Sequence, residues 1–331
     1  MIAPSSKTPF PEALVINEEK IAPGENKKIQ LSAGKLPSGS LLSITAHIFR
    51  SHHPGPTVLL LGGIHGDEIN GIEIITNLLA SGFFKDIKAG CIIAIPLLNV
   101  FGFNNMSRDM PDGKDVNRSF PGHKSGSLAS RVAKCLTQNI LPHTDYAIDL
   151  HTGGALRYNF PHTRYSPHDE HCKKLADVFN APFAVKQALI SNSFRKIAHD
   201  MNTHVLVFEA GESMRIDNRA VSTGVAGILH VLTHLDMLPQ MKGNINNDQV
   251  IHINKTTWIR AAHPGIFTAA IAAGQNIQQG EMLGIIKDPY GLKSYPIVSR
   301  YKGHVLGINH AAVVNQGDAL FHIGSYDEKN N

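Results

Sequence analysis

TVLLLGGIHGDEINGIEIITNLLASG, residues 57–82, decides the fold. TVLLLGG is a continuous apolar run closed by two glycines, which reads as a buried strand. INGIEIITNLLASG then carries apolar residues at helical spacing and stops at Gly82. Outward from this unit the alternation repeats. CIIAIPLLN reads as a buried strand, SLASRVAKCLTQNIL as an amphipathic helix and YAIDL as a third strand. HDEHCKKLADVF and SFRKIAHDM read as helices, VLVFE as a strand and DNRAVSTGVAGILHVLTHL as a long helix. Strands alternating with helices predict an α/β fold, a mostly parallel sheet flanked by helices. Such sheets place their sites in the loops beyond the carboxyl ends of the strands.

On the amino-terminal side, KKIQL and LLSITAHIF are short apolar-alternating runs separated by the turn-rich GKLPSGS. Residues 1–50 are therefore expected as a β segment packing on a catalytic domain of residues 51–242. Around MKGNINND the chain turns polar, and residues 243–331 read as a smaller all-β domain with no convincing helix. Two stretches there match, GIFTAAIAAGQNIQQGEMLGIIKD and GHVLGINHAAVVNQGDALFHIG. Each runs glycine, apolar strand, loop, QG, acidic residue, apolar strand. The duplication is similar to the β-hammerhead of biotinyl and lipoyl carrier domains, which implies a barrel-sandwich type. The interval DPYGLKSYPIVSRYK lacks the carrier motif. Lys287 and Lys293 are therefore expected as solvated surface, and the domain as an active-site cap.

At 331 residues the chain exceeds what one compact core holds. Its 42% hydrophobic and 18% charged content is that of a soluble globular enzyme. The formal charge of +4 is scattered without a dense Lys/Arg run, which argues against a nucleic-acid groove; the mild positive balance fits a small anionic substrate and many other proteins equally well. Three cysteines, Cys91, Cys135 and Cys172, are far apart and odd in number, so neither a disulfide framework nor a Cys-based zinc site is expected. MIAPSSKTPFPEALV is not a signal peptide. The longest apolar run is too short to span a bilayer. A cytoplasmic protein without membrane or nucleic-acid partners is expected, and homo-oligomerisation stays open.

The chemistry begins at GGIHGDE. His65 and Glu68 stand three apart where the strand gives way to the helix, and Gly62, Gly63 and Gly66 permit the tight backbone. An imidazole and a carboxylate at that spacing converge on one point and suit Zn²⁺. The pair alone also fits a structural turn or a phosphate loop, although the glycines are not spaced GxGxxG. YAIDLHTGG supplies His151 at the end of a second strand, with Asp149 alternating beside it to orient the imidazole. Two histidines and one glutamate leave an open coordination position, as in catalytic zinc sites. In VFEAGES, Glu209 closes a buried strand, where a carboxylate needs a purpose or a partner. It is placed to act as general base, and its strand-end position favours it over Glu212. The long polar loop NNMSRDMPDGKDVNRSFPG offers Asn117 and Arg118 as a fork for a carboxylate, and Arg108 to polarise a scissile carbonyl. Arg157 and Arg164 in GGALRYNFPHTRY are further anion binders by proximity to His151.

Taken together, GGIHGDEINGIE, RDMPDGKDVNRSFPG, DLHTGG and FEAGE resemble the succinylglutamate desuccinylase/aspartoacylase family of zinc deacylases, relatives of the zinc carboxypeptidases. The resemblance runs from Thr57 to the end of the chain. It implies His65, Glu68 and His151 as ligands of one zinc per chain, Glu209 as base and Arg108 as the carbonyl-polarising arginine. It also implies Asn117 and Arg118 as binders of a substrate carboxylate. The expected function is hydrolysis of the amide bond of an N-acyl amino acid or similar small carboxylate-bearing amide. A metallocarboxypeptidase acting on a peptide's terminal residue, and a non-catalytic anion-binding protein on the same fold, are the alternatives.

Overall fold

The computed structural model describes residues 12–239 and 249–325. The domain boundary expected at residues 242–243 lies outside the described residues. A short hairpin, β1 (Leu14–Ile16) and β2 (Glu19–Ile21), leads into two long strands, β3 (Asn26–Lys35) and β4 (Leu41–Arg50). Then come β5 (Thr57–Leu61), α1 (Ile69–Ser81), β6 (Cys91–Ile95) and the short α2 (Val100–Asn104). They are followed by α3 (Leu128–Asn139), β7 (Tyr146–Gly153), β8 (Arg157–Tyr165) and α4 (Glu170–Phe179). β9 (Phe183–Lys186), α5 (Phe194–Asp200), β10 (His204–Glu212) and α6 (Asn218–His234) complete this part.

Alternation inside β5 explains how the layers form. Val58 and Leu60 enter one core with Ile74, Ile75 and Leu78 of α1 and with Ile228 and Leu232 of α6. Leu59 and Leu61 enter the opposite core with Val132 and Leu136 of α3 and Phe194 of α5. A strand buried on both faces has to be apolar at every position, which is why TVLLL and CIIAI read as unbroken runs. Each such side chain contributes about 1.5–3 kcal/mol on burial. β3 and β4 cover one face only, so their buried residues alternate with exposed ones.

The strands β6, β5, β7 and β10 lie side by side in parallel. Outside them the sheet is antiparallel on both flanks, β4 to β6 and β8 to β10. The whole is thus a mixed sheet with a parallel centre. β3 and β4 extend that same sheet.

One strand beside the parallel centre is absent from the sequence reading. RYNFPHTRY forms β8, hydrogen-bonded to β10 on one side. Its apolar signal is broken by Arg157, Asn159, His162 and Arg164, and Pro161 argues against an inner strand. Pro161 is accommodated at a bulge, where Phe160 and Pro161 together stand opposite Ala210.

The carboxyl-terminal part contains β11 (Ile251–Ile253), β12 (Lys255–Arg260), β13 (Gly265–Ala269), β14 (Asn276–Ile277) and β15 (Met282–Lys287). It ends with β16 (Ser294–Val298), β17 (Gly303–Asn309), β18 (Val313–Val314) and β19 (Ala319–Ser325). The two matching stretches are β13–β15 and β17–β19, and they interlock: β14 pairs with β17, and β18 with β13. Phe267, Leu283, Ile286, Val305, Leu320 and Phe321 form their shared core. β17 also pairs with β8, which joins this part to the main sheet. Lys287 is exposed on β15 and Lys293 is exposed after it. Among the described residues no helix is long and apolar enough to cross a membrane.

Gly66 fixes the turn between β5 and α1. A Cβ there would lie 2.0 Å from the Gly102 carbonyl carbon and 2.1 Å from the Phe103 nitrogen, both backbone atoms of α2. Gly66→Ala is expected to lower stability by at least about 1–3 kcal/mol through overpacking. Denaturant unfolding checks this, and a midpoint equal to that of the parent would show that the α2 contact yields freely.

Candidate active site

The carboxyl ends of β5, β7 and β10 open on a cavity of about 530 Å³. His65, Glu68, Arg108, Asn117, Arg118, His151, Arg157 and Glu209 all line it, so the fold brings together the residues expected from the sequence to hold a metal, catalyse or bind substrate. Thr57–Leu61 delivers His65 through the glycine turn, and Glu68 follows at the cap position of α1. His151 and Glu209 are register partners on the parallel strands β7 and β10, so their side chains leave the sheet on one face.

Glu68 is the hub. Its Oε1 lies 2.7 Å from His65 Nδ1, and its Oε2 lies 2.9 Å from His151 Nδ1. The Thr152 amide donates to Oε2 at 3.0 Å, and Arg108 Nη1 donates to Oε1 at 3.1 Å. All three residues are buried, and their ligand atoms fall within 4.8 Å of one another. The outward nitrogens are held as well: His65 Nε2 lies 3.2 Å from Asp115 Oδ1, and His151 Nε2 lies 3.0 Å from Asp149 Oδ2. Each imidazole thus points one nitrogen at a carboxylate and the other into the cluster, an arrangement that orients metal-ligating histidines. Two nitrogens and one carboxylate form a donor set that suits zinc.

Electrostatics follow the geometry. Burial pushes the Glu68 carboxyl upward, but His65 and His151 outweigh it and hold it well below the ordinary carboxylate range. Burial lowers His151, while Asp149 and then Glu68 raise it well above the usual imidazole value. His65 is raised by Glu68 and Asp115 against burial.

Two groups of the site, Asp115 beside the cluster and Arg195 in the cavity lining, were not singled out from the sequence. Asp115 anchors both His65 and Arg108, the latter through a 2.8 Å bond from Nη2. Its only sequence signal is its place as cap of the Val116–Arg118 turn. Arg195 on α5 is buried, and its Nη2 donates to the Ala188 carbonyl at 2.7 Å. Its Nη1 has no hydrogen-bond partner among the described residues. Burial, with Arg164 nearby, pushes Arg195 down to about 10. A buried guanidinium lining a cavity with one arm unpaired is a ready anion contact. Asn117 accepts from the Phe194 amide at 2.9 Å, tying its loop to α5, while Arg118 and Arg157 are exposed at the rim. Glu212 faces away to His310 Nδ1, 2.7 Å off, and does not line the cavity.

Comparison with known proteins gives this pocket its class. Residues 54–235 match the succinylglutamate desuccinylase/aspartoacylase catalytic domain. The protein is an enzyme of the deacylase type. The match spans more than half of the chain, and the chain belongs to the succinylglutamate desuccinylase/aspartoacylase family. It is 26% identical over 279 residues to the N-alpha-acetyl-L-2,4-diaminobutyric acid deacetylase of Halomonas elongata, covering 80% of this chain and 81% of that one. A succinylglutamate desuccinylase/aspartoacylase structure from Rhodobacter sphaeroides superposes with a TM-score of 0.79 at 26% identity, over 91% of this chain and 95% of that one. The product-bound ectoine utilization protein EutE (DoeB) of Ruegeria pomeroyi gives 0.81 at 23% identity, over 91% and 95%, a likeness of fold.

The Asp149 contact generates a test. Asp149→Ala frees the His151 imidazole and should weaken binding of a divalent transition metal about 10–100-fold. Competition with a chelating dye measures it. Affinity equal to that of the parent would mean that His151 needs no support from Asp149.

Proposed function

We propose that the protein is a zinc-dependent deacylase that hydrolyses the amide bond of an N-acyl amino acid or similar small carboxylate-bearing amide. The observation that carries this reading is the convergence of His65 Nδ1, His151 Nδ1 and the Glu68 carboxylate, with both outward imidazole nitrogens held by Asp115 and Asp149. One zinc per chain would be held by these three residues, supplying Lewis acidity toward water and toward the scissile carbonyl.

The chain's own groups supply the remainder. Glu209, on the same face as His151, takes a proton from the attacking water and returns it to the departing nitrogen. Arg108 holds the carbonyl oxygen as negative charge develops on it. Asn117, Arg118 and Arg157 at the rim, with Arg195 deeper in, read carboxylates of the substrate. The names of the relatives supply the probes: N-acetyl-L-2,4-diaminobutyrate, N-succinyl-L-glutamate and N-acetyl-L-aspartate.

The carboxyl-terminal β-domain, of barrel-sandwich type, caps this site. His310 supports that role. Its amide donates to the Leu156 carbonyl at 2.7 Å, beside the cavity-lining Gly154 and Ala155, and its ring bonds Glu212.

Glu209→Gln is expected to retain the metal while kcat falls by at least about a hundredfold, the contribution of a positioned base. Elemental analysis and steady-state kinetics check the two halves. Turnover near that of the parent would remove Glu209 from the role. A second expectation concerns the substrate. A free carboxylate on the amide should beat its methyl ester by at least about tenfold in kcat/KM, because a charge-assisted bidentate pair contributes more than a neutral hydrogen bond. Arg118→Ala should erase most of that preference, and equal preference in both proteins would move the carboxylate contact to Arg157 or Arg195.

A further inference from the structure

Glu209 is gripped on both oxygens, and nothing so far accounts for the grip. Arg164 Nη1 lies 3.2 Å from Oε1, and Asn159 Nδ2 donates to Oε2 at 2.8 Å. Both donors stand on β8, the strand whose polar residues hid it in the sequence. Residues 159 and 164 have opposite parity, so on a regular strand they would leave opposite faces of the sheet. The bulge at Phe160-Pro161 adds one residue between them and brings both to the face of Glu209. His162, the register partner of Glu209, is fully buried between them in sequence.

Behind Arg164 stands that histidine. Arg164 Nε donates to His162 Nε2 at 3.2 Å, and His162 Nδ1 lies 2.8 Å from the Phe160 carbonyl oxygen. A carbonyl only accepts and a guanidinium only donates, so the proton sits on Nδ1 and Nε2 offers its lone pair. His162 is therefore neutral, and burial together with the Arg164 charge holds it well below the ordinary imidazole value. The guanidinium is thereby fixed from behind by a group that cannot compete for Glu209. Gln187 Oε1 accepts from Nη1 at 3.4 Å, which completes the setting of Arg164.

We infer that Arg164 and Asn159 are positioning residues for Glu209, and that neutral His162 sets the angle of Arg164. This rests on the reading of Glu209 as the base. The grip fixes the plane of the carboxylate and suppresses its rotation away from the reacting water. A displacement of about 1 Å in such a group costs on the order of a hundredfold in rate. The arrangement also separates the arginines of the cavity by task. Arg164 is committed to Glu209, whereas Arg195 keeps an unpaired Nη1 for a ligand.

The test compares Arg164→Lys, Asn159→Ala, Glu209→Gln and the Arg164→Lys/Glu209→Gln double variant, each metal-loaded, with N-acetyl-L-2,4-diaminobutyrate, N-succinyl-L-glutamate and N-acetyl-L-aspartate. Lysine keeps the charge of Arg164 but loses the fork and the bond to His162. Arg164→Lys should lower kcat about tenfold to a hundredfold, with KM, metal content and melting temperature close to those of the parent. Asn159→Ala should lower kcat by a smaller factor with KM again unchanged, and it serves if the lysine variant folds poorly. In the Glu209→Gln background Arg164→Lys should add little, the non-additivity expected of groups acting as one unit. Crystals of Arg164→Lys should show the Glu209 carboxylate rotated or in more than one conformer. A loss confined to KM would make Arg164 a substrate contact and overturn the inference, as would unchanged kcat in both single variants. Full turnover by Glu209→Gln would instead overturn the base assignment, so the two failures are distinct.

Discussion

A carboxylate buried between two imidazoles holds this site together. Glu68 is 2% exposed, and an ionised carboxylate so deep costs several kcal/mol unless neighbours compensate it. His65, His151, the Thr152 amide and Arg108 supply that compensation. They come from three different parts of the chain: the glycine turn, the end of β7 and the long polar loop. Each of those parts is placed by something less polar. The turn needs Gly66 against α2, and β7 needs apolar layers on both sides to set His151 at its depth. The site therefore inherits its geometry from the two cores, and disturbing either core moves an atom of this cluster.

Much of this was legible in the sequence, for a physical reason. β5, β6, the first residues of β7 and residues 205–208 of β10 are buried on both faces, so nearly every position there is apolar and the signal is strong. His65, Glu68, His151 and Glu209 stand where such runs stop, which made their polarity conspicuous. The resemblance carried by GGIHGDE, DLHTGG and FEAGE then named the family that the comparison bears out. β8 was not legible, because it faces the cavity. Its side chains serve Glu209 and the rim instead of a core, and its bulge shifts the alternation that a strand reading relies on. Arg195 hid for a related reason. SFRKIAHD reads as a helix, but nothing in its spacing shows that Arg195 turns inward. Asp115 lies in a loop of many charged residues, and only the fold distinguishes it from Asp109 or Asp112.

The cavity is rich in arginine, and its arginines are not equivalent. Arg108 bonds two carboxylates, Glu68 and Asp115, and so sits locked beside the cluster of His65, Glu68 and His151. Arg164 is tied to Glu209, while Arg118 and Arg157 stand at the open rim. Arg195 alone combines depth with an unpaired arm. An anion entering this cavity first meets exposed guanidinium groups, whose attraction salt screens, and then a buried one whose attraction salt screens much less. Net charge of the chain, +4, says little of this, since the scattered surface residues dominate the count. The local field is set by position.

The crossed pairing of β14 with β17 and of β18 with β13 has a consequence for how the chain reaches its native state. Neither matching half contains the partner for its own short strand, so neither half can close by itself. All of the hydrogen bonds that lock the pair join residues distant in sequence, and such contacts form late and slowly. A nascent chain must finish both halves before either is secure, and until then the edges of β13 and β17 stand open to other chains. β17 is also the strand that pairs with the end of β8 at residues 157–159, while β9 pairs with the end that bears Arg164. A chain in which β17 has yet to pair would thus leave the Asn159 end of β8, and with it one of the two donors to Glu209, without its neighbour.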